Sequence, residues 1–156
     1  MPIRFIPNDP EARQAAPARV ITPSPARRKG MTDFDFGAMP DAGVWPQGSD
    51  EFLVWQCREG LQRALATWER IAGRLVSWQG PGARKRLRVS VDAGSEINAY
   101  YARGELGFFS NVGKRDKVRR FAASVDVVAH EAGHAFLDVL RPDLFDTPIP
   151  AYKSSS

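Results

Sequence analysis

The sequence is poor in the residues that most often carry chemistry. Its 156 residues include one cysteine and two histidines. A single cysteine excludes an internal disulfide. Cys57 falls at an apolar position of a helical pattern, which predicts a small core residue; a catalytic thiol is the alternative. No apolar run approaches the roughly 20 residues that a membrane helix needs. No continuous apolar stretch follows Met1, so a secretory signal is not expected and a cytoplasmic location is. The body of the chain also lacks a charge excess. The net charge is +4, and residues 1–30 hold six basic side chains against two acidic ones. All of the excess therefore belongs to the leader, which makes a nucleic-acid partner unlikely for the rest.

Hydrophobic residues make up 43% of the chain, enough for one modest core. Residues 1–48 hold eight of the twelve prolines and show no periodicity. They are predicted to form an extended, partly ordered, basic leader, with the domain proper at 49–156. Ile3, Phe5 and Ile6 alternate weakly and suit a strand at a sheet edge. Phe34 and Phe36 alternate likewise and suit a tack onto the domain. Residues 22–29 are expected to be a solvated linker, with a phosphate contact by Arg27, Arg28 and Lys29 as the alternative.

A long helix is predicted over 49–78. Leu53, Cys57, Leu61, Ala64, Leu65, Trp68, Ile71 and Leu75 follow its period, and Glu59, Arg63 and Glu69 supply wetter faces. Trp55, Trp68 and Trp78 are expected in the core rather than as a binding stripe. Leu87, Val89 and Val91 alternate with polar residues as a strand with one buried face. Residues 96–101 and 105–110 flank an Arg-Gly turn and predict a β-hairpin. The basic stretch 111–120 is expected to be a loop. The last helix begins at Ser124, a good N-cap, and is stopped by Pro142. The order gives an α+β fold.

Inside that last helix lies His130-Glu131-Ala132-Gly133-His134. Histidines four apart share a helix face, so both imidazoles can reach one metal ion. Glu131 follows the first of them, where a carboxylate can serve as general base to a metal-activated water. The alternative is a pair of satisfied core histidines with a salt-bridged glutamate. Asp138, four residues after His134, suits an acceptor for an imidazole N–H.

Two stretches together resemble the thermolysin-like gluzincin zinc metallopeptidases. One is Asn98-Ala99-Tyr100-Tyr101 with Leu106-Gly107-Phe108-Phe109. The other is Asp126-Val127-Val128-Ala129-His130-Glu131-Ala132-Gly133-His134. The resemblance spans about residues 50–141 and leaves the leader unmatched. It implies a zincin-like fold whose long helix precedes a small sheet, an edge strand and the HExxH helix. It also implies zinc on His130 and His134, Glu131 as the catalytic base, and a peptide held by Asn98, Ala99 and Tyr100. Where that family places its third ligand, a glutamate on a following helix, this chain has no glutamate: none occurs after Glu131. Asp138, Asp143 and Asp146 are the in-chain substitutes for a third ligand or its supporting shell, and a partner chain is another source. The expected activity is zinc-dependent peptide hydrolysis, weak in this chain alone. A non-catalytic peptide-binding module is the rival. A homo-oligomer or partner covering the exposed face of the HExxH helix is also expected.

Overall fold

The computed structural model describes residues 1–80, 85–113 and 116–146. The architecture is mixed α+β. Strands β1 (Ile3–Phe5), β2 (Arg19–Ile21) and β3 (Asp33–Asp35) precede helix α1 (Asp50–Ala72). Strands β4 (Arg86–Ser90), β5 (Ala99–Ala102), β6 (Glu105–Phe108), β7 (Ser110–Val112) and β8 (Val118–Arg120) follow. A short 3-10 turn (Phe121–Ala123) leads into α2 (Val125–Leu140), and α3 (Asp143–Asp146) is a single turn after it.

The main sheet has the order β3-β4-β6-β5. β3 runs parallel to β4 and β4 parallel to β6, while β5 and β6 form the antiparallel hairpin expected around Arg103-Gly104. Ala102 pairs with Glu105 across that two-residue turn, and Gly104 supplies its positive φ of 99°. Alternation along the strands sends Leu87, Val89, Leu106 and Phe108 to one face. Both long helices lie over that face. Leu53, Cys57, Leu61 and Leu65 of α1 meet Val128, Ala132, Ala135 and Phe136 of α2 there. Gly60 allows the close approach, since a Cβ in its place would stand 3.3 Å from Val128. Burial pushes the Cys57 thiol pKa up, consistent with an inert core residue.

Several expectations are corrected. α1 stops at Ala72, six residues short of the predicted end. Gly73, with φ 84°, terminates it by donating its N–H to Glu69 O; Ile71, still within the helix, is exposed rather than buried. Residues 111–120 are not simply a loop, for β7 and β8 form an antiparallel pair there. Glu59, assigned to a wet face, is buried. Its carboxylate accepts from the Ser24 N–H and hydroxyl, each at 2.8 Å, and from Arg63. Residues 22–29 are correspondingly no free linker, because Arg27 also donates to Glu69 at 2.7 Å.

The leader is extended, yet it is held by a line of polar side chains on α1. Buried Gln56 accepts from Ile6 N and donates to Ile6 O and Ala123 O. Gln62 donates to the Asp33 carboxylate at 2.7 Å. Gln56, Glu59 and Gln62 are three apart, so they share one helix stripe. Ile3, Phe5, Ile6 and Phe34 are buried through these attachments. Of the three tryptophans expected in the core, Trp78 is buried, Trp68 is partly buried against it, and Trp55 lies outside it. Trp78 donates to Asp33 O, Trp68 stacks on Phe136 at 5.2 Å, and Trp55 donates to Pro40 O.

Candidate metal and peptide site

The HExxH helix is set by its first turn. Ser124 Oγ accepts from Val127 N at 3.3 Å, as an N-cap should. Asp126 in that turn favours the positive end of the helix dipole, and its carboxylate also accepts from the leader's Asp9 N at 2.9 Å. Val128, Ala132, Ala135 and Phe136 are buried against the core, which turns His130 and Glu131 outward toward β5.

His130 Nε2 and His134 Nε2 stand 3.1 Å apart, with the rings nearly perpendicular at 84°. Two nitrogens bound at 2.0–2.1 Å to one tetrahedral ion are separated by about 3.3 Å. The donor pair therefore fits two ligands of one zinc ion. The same distance also suits a hydrogen bond between neutral rings of complementary tautomer.

Glu131 is half-buried and lies in the same open groove as His130. Asn98 and Ala99 at the sheet edge line the same groove, together with Val127 and Phe121. β5 is the outermost strand of the sheet, so one side of its backbone is left by the ladder. Asn98 O already accepts from Phe109 N at 3.1 Å, which anchors the strand where it enters the groove.

A comparison with protein families, curated proteins and solved structures finds no match.

Tyr100 and Tyr101 alternate across β5. Tyr101 packs toward α2 and gives its hydroxyl to Asp138 Oδ2 at 2.7 Å. Tyr100 lies over Gly107 on the other face and tilts against Phe109 at 5.9 Å. Its pKa is raised, by burial first and then by Glu105. The Tyr100 ring thus packs on Gly107 and Phe109 and does not line the groove, contrary to its expected place beside Asn98 and Ala99.

The aspartates proposed as further ligands have other partners. Asp138 is buried and accepts from Arg103 Nε at 2.9 Å, Arg103 Nη2 at 2.8 Å and Tyr101, not from an imidazole. Burial opposes its ionisation. The hydrogen bonds from Arg103 and Tyr101 outweigh that and hold its pKa below the ordinary 3.8. Burial and Asp138 together push the Tyr101 pKa up. Asp146 pairs with Arg103 at 2.6 Å, and Asp143 with Arg141 at 2.7 Å. Among the described residues no group of three His, Cys, Asp or Glu side chains is gathered for one ion. The residues outside the described set contain none of these four types.

Arg103 is the residue that the sequence reading missed at this site, together with the pairing of Tyr101 with Asp138. The available signal was Asp138 itself. A carboxylate on the buried side of an apolar helix requires a cation or donor, and the neighbouring hairpin turn offered one.

Proposed function

We propose that this chain is a zincin-like domain for zinc-dependent hydrolysis of peptide bonds. The observation that carries it is the convergence of the two imidazoles at 3.1 Å, one of which, His130, lines a groove together with Glu131 and Asn98. His130 and His134 would hold the ion, which when bound polarises a scissile carbonyl and acidifies a water. Glu131 takes a proton from water and delivers it to the leaving amine. The start of β5 at Ala99, with Asn98 just before it, holds an extended peptide by strand addition, orienting it along the groove.

A catalytic zinc site usually has three protein ligands. Only two converge among the described residues, so weak activity is expected from this chain by itself. The same observation favours the second reading, a peptide-binding module without catalysis.

Zinc titration with a competing chelator, followed by a peptide-cleavage assay, tests the proposal. Wild type should take up one zinc, and His134→Ala should lose it. Glu131→Gln should keep the zinc and lower cleavage by about 10²-fold or more. Equal zinc uptake by wild type and His134→Ala overturns the metal assignment. Peptide binding with bound zinc but no Glu131-dependent cleavage selects the binding-module reading.

A further inference from the structure

The groove has two ends, and they are built differently. At the N-terminal half of α2 it is open between β5 and the His130–Glu131 turn. At the C-terminal half the same strand and helix are tied together through one carboxylate, that of Asp138. Arg103, in the β5–β6 turn, places two nitrogens on Asp138 of α2. Its Nη1 donates to Asp146 of α3 at 2.6 Å, and Nη2 also donates to Pro142 O at 3.0 Å. Tyr101, two residues before it and on the strand face shared with Ala99, adds its hydroxyl to the same Asp138. This ties three elements to one guanidinium.

The consequence for the site is geometric. With strand and helix joined at Asp138, the separation of Asn98 and Ala99 from Glu131 is set by a lever only a few residues long. The tie to α3 also brings Phe145 edge-on to Tyr101 at 5.9 Å and to His134 at 6.4 Å. A planar guanidinium can hold a carboxylate through two parallel bonds and still reach other acceptors, which a lysine ammonium cannot reproduce in the same geometry.

We infer that Arg103 is a positioning residue for this groove: it sets the spacing between the peptide-holding edge strand and the Glu131-bearing helix through Asp138, without touching peptide or metal. The inference rests on the peptide-groove reading above and adds a determinant of peptide affinity outside the groove.

The test uses the full chain and a capped tri-alanine peptide, followed through the amide signals of Asn98 and Ala99. Arg103→Ala should weaken peptide binding about tenfold, the order expected from losing hydrogen bonds between charged groups that hold the strand in place. Arg103→Lys should recover part of that loss, and zinc affinity should change less than about twofold in both. Amide hydrogen exchange over 98–102 should quicken in Arg103→Lys, which retains the charge and is the variant of record if Arg103→Ala does not fold. Wild-type affinity and wild-type exchange in folded Arg103→Lys and Arg103→Ala would overturn the positioning role while leaving the groove intact. Absence of any peptide response in wild type would instead overturn the groove reading together with it.

Discussion

At the scale of single residues, the site depends on partners more than on the residues themselves. Asp138 shows this best. Its folded pKa is depressed, so the unfolded chain binds its proton more readily than the folded one. The stability it contributes is complete above its unfolded value near 3.8 and is lost as pH falls through the lower folded value. Asp138→Ala is expected to cost about 1–3 kcal/mol at neutral pH, because it leaves the Tyr101 hydroxyl without its acceptor and removes two of the four bonds of the Arg103 guanidinium. Urea unfolding checks this, and the gap between wild type and variant should narrow in acid below the ordinary carboxylate range. Gly107 is a second sensitive point. A Cβ there would overlap the Tyr100 ring, so Gly107→Ala should destabilise by about 1–3 kcal/mol, measurable by the same unfolding curves.

At the scale of elements, legibility followed hydrophobic period and capping. α2 was readable because Ser124, the apolar stripe and Pro142 all agree on its limits. The β5–β6 hairpin was readable from two β-prone runs and an Arg-Gly turn. The end of α1 was misplaced because Leu75 and Trp78 continue the apolar spacing beyond Gly73, although they are buried from an irregular segment. The β7–β8 pair was invisible, since a charged, weakly alternating stretch carries no period-two signal. The third ligand was sought in aspartates that the fold spends on arginines. Gln56 marks the limit of pattern reading: its role depends on a partner fifty residues away. Gln56→Leu keeps the shape but leaves the Ile6 N–H and C=O without partners. Since each orphaned buried group costs about 1–3 kcal/mol, the variant should unfold at clearly lower denaturant concentration and expose the leader to proteolysis.

At the scale of the whole molecule, the described residues contain no helix long and apolar enough to cross a membrane. They do present an uncovered apolar end: Leu140 and Leu144 are each about half exposed, and Leu137 lies one turn before Leu140 on α2. Side chains of this size grouped at one end of a fold favour association. The chain is expected to gain apparent mass with concentration in sedimentation velocity, and Leu140→Glu with Leu144→Glu should reduce that gain. A single sedimentation coefficient across a wide concentration range would remove this expectation.

β3 lies within residues 1–48, yet it forms a parallel pair with β4, and α1 is the connection between them. A strand, its crossover helix and the parallel strand beside it are one supersecondary unit. The junction near residue 48 therefore cuts through a unit rather than between two. Fragment complementation should expose this. Residues 1–48 and 49–156, made as separate peptides, should each lack a cooperative unfolding transition and should recover one on mixing. The leader would then act as a strand donated in trans, with Gln56, Glu59 and Gln62 as its docking points.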